Sequence, residues 1–170
     1  MGKEPRLAFD PIERAGQLWE QHWGPALTMR AATSIFRVQQ ILLARFDEVL
    51  RPHGLTFARY EALVLLRFSR RGELPLKVIG SRLMVHPTSV TNTVDRLAAA
   101  GFVTRRPNPA DGRGVLAAIS PLGRVVVERA TAQLVAIDFA LAGVDPADLE
   151  GVVEVLTKVR LAAGDFSPAS

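Results

Sequence analysis

Between His86 and Ser120 the chain reads HPTSVTNTVDRLAAAGFVTRRPNPADGRGVLAAIS, and few folds accommodate that succession. The first half predicts a short helix with two unlike faces. Val90, Val94 and Leu97 recur at i, i+4 and i+7 and would fasten one side to a core. Thr88, Ser89, Thr91, Asn92 and Asp95 occupy the other side, all polar and short enough to let a partner approach closely. Pro87 suits a first helical position, where a missing N–H costs nothing. Gly101, after three alanines, suits a helix stop. Two β-like runs follow, Phe102–Arg106 and Val115–Ser120, joined by the turn-forming PNPADGRG. A polar-faced helix followed by a hairpin with an arginine near its tip is the plan of a winged helix, whose helix enters the DNA major groove.

The flanking segments read as helices. Leu55-Thr56 opens one, with Thr56 as its cap and Leu55 and Tyr60 as a hydrophobic staple. Arg70-Arg71-Gly72-Glu73 is expected to be a loop, and Pro75 to start a shorter helix through Met84. Gly80 falls where the two helices of a helix-turn-helix approach closely. Towards the N-terminus, Asp10-Pro11-Ile12-Glu13 is a capping-box helix start. That helix carries Trp19 and Trp23 and stops at Gly24-Pro25. A long helix is then expected from about Ala26 to Leu50, its broad apolar stripe (Ile35, Val38, Leu42, Phe46, Val49) suggesting burial on more than one side. After the hairpin, Ser120-Pro121 should begin a helix to about Ala142, broken by Gly143, and Asp145-Pro146 a last one to about Ala163.

The expected fold is therefore mainly α: a winged helix-turn-helix with N- and C-terminal dimerisation helices and a short two-stranded wing. The organisation reads as a flexible arm (1–9), N-terminal helices (10–54), a DNA-binding lobe (55–120), C-terminal helices (121–164) and a flexible tail (165–170). Four terminal helices with apolar faces exceed what one 170-residue protomer can hide, which argues for a homodimer.

Charge is distributed to match. The net charge is +4, yet Leu55–Arg124 holds eleven Lys/Arg against four acids, or +7, leaving −3 for the rest. A basic excess confined to the predicted lobe fits a phosphate-binding surface better than a generally solvated exterior. No apolar run approaches a membrane span, and the first ten residues lack the apolar core of a signal peptide, so a cytoplasmic location is expected. The absence of cysteine excludes disulfides, thiolate metal sites and thiol-based sensing. His22, His53 and His86 show no ligand spacing, so neither metal nor cofactor is expected. No phosphate loop, HExxH or G-x-S-x-G elbow points to catalysis. Two rival readings are a winged-helix module that binds another protein rather than DNA, and the dimerisation part of an enzyme, for whose catalytic domain the chain is too short.

From Leu55 to Gly123 the sequence resembles the MarR family of bacterial transcription regulators. The resemblance rests on LTFARYEALVLL, PLKVIGSRLMVHPTSVTNTVDRLAAAGFVTRR, the wing residues Asp111 and Arg113 in the order Asp-x-Arg, and ISPLG. It implies a homodimer on a pseudo-palindromic operator, a repressor released by a small aromatic or anionic effector. Many members carry arginine where this chain has Asn92, so base preference does not transfer. The helix-turn-helix reading places Thr88, Ser89, Thr91 and Asn92 at base edges, with asparagine suited to adenine. Arg113 is the candidate for the minor groove. Lys77, Arg82, Arg105 and Arg106 are candidates for phosphates, and Asp95 should point away or pair with an arginine. One urate-responsive branch of the family has an extra N-terminal helix bearing a tryptophan, and an acidic residue early in the helix before the helix-turn-helix. By that similarity Trp19, Trp23 and Glu61 are candidate ligand-binding residues. The plainer alternative makes the tryptophans packing anchors and pairs Glu61 with an arginine.

Overall fold

A computed structural model describes residues 7–109 and 111–167, and only the backbone at 112 and 113. Seven α-helices and one three-stranded sheet follow in the order α1 (Pro11–His22), α2 (Leu27–Leu50), α3 (Phe57–Phe68), β1 (Glu73–Pro75), α4 (Leu76–Leu83), α5 (Pro87–Ala99), β2 (Val103–Asn108), β3 (Asp111–Ile119), α6 (Pro121–Ala136) and α7 (Pro146–Ala162). Among the described residues no helix is long and apolar enough to cross a membrane. Parts of the expected arm and tail, residues 1–6 and 168–170, lie outside the described residues.

Helix starts follow local chemistry. Asp10 Oδ1 accepts from the Ile12 and Glu13 amides, at 2.8 and 3.4 Å. Glu13 does not complete the expected capping box; its carboxylate pairs instead with Arg30 on α2. Thr56 stands at the N-cap of α3 without a side-chain cap bond. Its role passes to Asp47 of α2, whose Oδ1 accepts from the Phe57 amide at 2.7 Å, so one bond caps α3 and ties it to α2. Asp145 caps α7 as expected, accepting from the Ala147 amide at 2.8 Å.

The core gathers Leu63 and Leu66 of α3, Ile79 of α4, Val90, Val94 and Leu97 of α5, Val103 of β2, and Val127 and Leu134 of α6. Most of it therefore belongs to the lobe, with Phe46 and Leu50 bringing in the end of α2. An aromatic chain bridges the two: Phe46 lies 4.7 Å from Phe57, and Phe57 lies 6.0 Å from Tyr60. The Tyr60 hydroxyl then donates to Thr131 Oγ1 at 3.0 Å, since that threonine spends its own proton on the Val127 carbonyl.

Three elements differ from the sequence reading. The wing is larger than the two apolar runs suggested: β2 and β3 extend to Asn108 and back to Asp111, with a register shift between Pro107 and Asn108. A third strand, β1, adds to β3, pairing Glu73 with Ala118 and Pro75 with Leu116, where the sequence suggested a loop and a helix start. Three residues carry too little pattern to be read as a strand, and only the exposed edge of β3 recruits them. Finally, α6 stops at Ala136, not near Ala142. Asp138, Phe139 and Ala140 all adopt positive φ (47°, 49° and 60°), turning Phe139 back so that its ring meets Phe46 edge-on at 6.0 Å. The edge-on contact of that ring with the buried Phe46 helps to offset a left-handed turn that no propensity favours.

Candidate nucleic-acid interface

The helix-turn-helix consists of α4, a turn in which Met84 takes a left-handed conformation, and α5. Its two helices approach closely at Gly80, where an added Cβ would lie 3.1 Å from Val90 Cγ2. Helix α5 starts at Pro87, and the His86 ring accepts from the Thr88 amide through Nδ1 at 3.3 Å. Val90, Val94 and Leu97 are buried as the periodicity requires. That fixes the rotation of α5 and turns its other side to solvent.

On the outer side Thr88, Ser89 and Asn92 are exposed. Among the described residues none of their side chains engages a hydrogen bond, so their donors and acceptors are available. Thr91 differs: it is half-buried and its hydroxyl donates to the Pro87 carbonyl at 3.1 Å, leaving only an acceptor. Arg96 was not singled out from the sequence. It follows Ser89 and Asn92 at i+7 and i+4 and is exposed, which extends the polar face by one turn. That spacing was the signal for it.

The basic residues divide into two groups. Lys77 and Arg82 on α4 are exposed and engage no ion pair among the described residues, as phosphate contacts require. Arg105 and Arg106 on β2 are already engaged, Arg105 with Asp95 of α5 and Arg106 with Glu73 of β1. These pairs answer what Asp95 does, and they brace the wing against the helix and the edge strand. Both arginines remain partly exposed, so each can still offer unused N–H donors to a phosphate. The side chain of Arg113, the expected wing-tip contact, lies outside the described residues; its backbone falls in β3.

The expected ligand residues are not drawn together. Trp19 and Trp23 pack on each other, centroids 4.8 Å apart and nearly edge-to-face, with Trp23 73% exposed. Glu61 is half-buried on α3 and engages no ion pair or hydrogen bond among the described residues, with an arginine or with either tryptophan. Burial raises its pKa above the ordinary carboxylate value. The folded protein thus holds this proton more tightly than the unfolded chain, and the resulting penalty is absent at acid pH and fully present above the raised value. Glu61→Gln is accordingly expected to raise the melting temperature at neutral pH, with the gain vanishing below the ordinary carboxylate range. Equal melting curves at both pH values would show that burial does not strain this carboxylate.

The helix-turn-helix and its wing coincide with the MarR family model, which matches residues 55–115. A MarR family transcriptional regulator from Streptomyces coelicolor is 57% identical, over 82% of this chain and 97% of that one, and superposes with a TM-score of 0.76. Another S. coelicolor MarR family regulator, solved in complex with DNA, is 23% identical over 88% of this chain and 94% of its own, at a TM-score of 0.74. The Rhodococcus jostii protein CouR, bound to p-coumaroyl-CoA, is 20% identical over 82% of this chain and 94% of its own, at 0.68. The last two share the fold; the first, with identity well above half across nearly its whole length, shares the lineage. The chain belongs to the MarR family of transcriptional regulators.

Proposed function

We propose that this protein is a homodimeric repressor that grips a pseudo-palindromic DNA operator and releases it on binding a small, aromatic or anionic effector. The observation that carries the DNA-binding part is the outer face of α5. Ser89, Asn92 and Arg96 stand exposed in a line, with the free cations Lys77 and Arg82 on the preceding helix. Helix α5 would enter the major groove, where Asn92 can bond adenine bidentately and Thr88 and Ser89 can reach bases or phosphates. Lys77 and Arg82 would fix register on the backbone, and Arg113 would enter the adjacent minor groove. Dimerisation is supported by α7, which has no buried residue, and by α2, which buries only Phe46 and Leu50. The terminal helices, 10–54 and 121–164, would form the seam. Release by a small molecule is supported by the family membership and by the ligand-bound relative CouR.

Fluorescence anisotropy against operator and random duplexes tests the assignment residue by residue. Asn92→Ala is expected to weaken operator binding by about 1–3 kcal/mol, the range of a bidentate base contact, with much less effect on random DNA. Equal loss on both would mean that Asn92 touches only backbone. Arg113→Ala is expected to weaken binding and to remove a preference for A·T-rich flanks, because shape readout needs the guanidinium in the groove. Unaltered affinity across all flanking sequences would remove the wing from the recognition surface.

A further inference from the structure

Helices α5 and α7 are each followed by a left-handed residue, and in both cases it is a glycine, Gly101 and Gly164, with φ of 73°. After α4 the same step falls on Met84, at φ 53° and ψ 42°, where a side chain adds a cost that glycine avoids. The backbone there needs nothing from that side chain, because the Gly80 carbonyl accepts from both the Met84 and the Val85 amides. Nor does the core need it, since Met84 is 82% exposed. A strained residue that neither packing nor hydrogen bonding explains points to a contact outside the fold.

Residues 84–89 are exposed without a break, so Met84 borders the surface on which Thr88 and Ser89 stand open at the start of α5. Just before it on α4 lies Arg82, exposed and in no ion pair among the described residues. An apolar chain gains nothing from a phosphate. On the base edges of the major groove, the apolar group within reach of a side chain is the C5-methyl of thymine. We propose that Met84 is a specificity-determining residue, packing on a thymine methyl beside the bases that α5 reaches. Its unbranched thioether turns about three bonds and adapts to an irregular apolar surface. The contact rests on the DNA-binding reading of α5 and adds to it a base read without a hydrogen bond. It is independent of the subunit seam, for Met84 belongs to neither set of terminal helices assigned there. Val85, its neighbour, is 40% exposed and is the rival apolar candidate.

The test uses the strongest duplex that the wild-type protein recovers from a random pool, with each thymine in turn replaced by uracil, which removes the methyl alone. Fluorescence anisotropy reads affinity at physiological salt. The wild type is expected to lose about four-fold at one thymine per half-site, the worth of one buried methyl. Met84→Gly should bind the thymine duplex more weakly, with no further loss when that thymine becomes uracil. Met84→Leu, apolar in the same place, should keep most of the discrimination, and Met84→Asn, which tolerates the left-handed step, should lose it. Met84→Gly should also melt about 2–4 °C higher than the wild type, because the strain is relieved and little packing is lost. A uracil penalty that persists in Met84→Gly, or that disappears in Val85→Ala instead, overturns the assignment. So does an equal loss by Met84→Gly on selected and random duplexes, which places the side chain on the DNA backbone. A lower melting temperature for Met84→Gly makes Met84 a packing residue and overturns it too. A wild-type protein that binds its selected duplex and ignores every uracil overturns this contact alone. One that recovers no sequence overturns the DNA-binding reading with it.

Discussion

Replacing Val152 and Val159 together by aspartate is expected to yield a folded monomer that has lost its operator. Both valines lie on α7, with Val155 between them at helical spacing, and all three are more than half exposed in the protomer (52%, 58% and 54%). A 17-residue helix with no fully buried residue leaves most of its apolar surface available to a partner. Helix α2 presents Ile35, Phe36, Val38 and Ile41 as well, exposed by 47%, 66%, 48% and 59%. Buried in a two-fold seam, each valine contributes on the order of 1.5 kcal/mol. Two aspartates per subunit would instead place four like charges against one another in a medium that screens them poorly. Leu149 and Leu156 are less suitable, since both are half-buried within the protomer and their loss would mix folding with assembly. Losing one of two linked recognition helices removes roughly 10²–10⁴-fold of affinity. Light scattering and anisotropy on the same sample read both effects. A variant that stays dimeric with wild-type operator affinity would place the seam elsewhere.

Gly123→Ala is expected to damage the lobe itself. Gly123 lies in the first turn of α6, against the start of β2, and an added Cβ would stand 2.1 Å from the Phe102 carbonyl oxygen and 3.0 Å from Ile119 Cγ1. The oxygen cannot withdraw, because it accepts from the Ser120 amide at 2.9 Å. Ser120 is held as well, its hydroxyl donating to the Gly101 carbonyl at 2.7 Å and accepting from the Gly123 amide at 2.9 Å. Overpacking against backbone that cannot relax is expected to cost about 3 kcal/mol or more, and so to lower the melting temperature by about 10 °C for a chain of this size. Operator binding should fail at the temperature where the lobe melts. An unchanged melting curve would mean that α6 can shift off the wing without penalty.

What was legible in the sequence was whatever a single element's periodicity decides. Val90, Val94 and Leu97 announced the buried side of α5, and with it the residues left facing outwards. Proline at the first helical position, beside Asp10, Ser120 and Asp145, marked the helix starts. What escaped were features set by contacts distant in sequence. Strand β1 exists because β3 has an edge to offer, and Asp47 caps α3 because α2 ends beside it. The early end of α6 depends on Phe139 finding Phe46, 93 residues away in the chain, so the helical pattern through Ala142 misled. The same limit applied to function. A basic count could not tell that Arg105 and Arg106 are engaged by Asp95 and Glu73, whereas Lys77 and Arg82 are open. Nor could the sequence reveal that Trp19 and Trp23 pack on each other while Glu61 engages no ion pair or hydrogen bond among the described residues.

On the proposed function, two copies of α5 read a two-fold DNA site. Selection of binding sequences from a pool of random duplexes by the wild-type protein, at physiological salt, tests it most directly. The recovered sequences are expected to converge on an inverted repeat whose half-sites are one helical turn apart, roughly 34 Å between centres. Affinity for that repeat should fall steeply with added salt, as binding that displaces counterions does. Recovery of a single unrepeated motif, or of no motif above the random background, would contradict it.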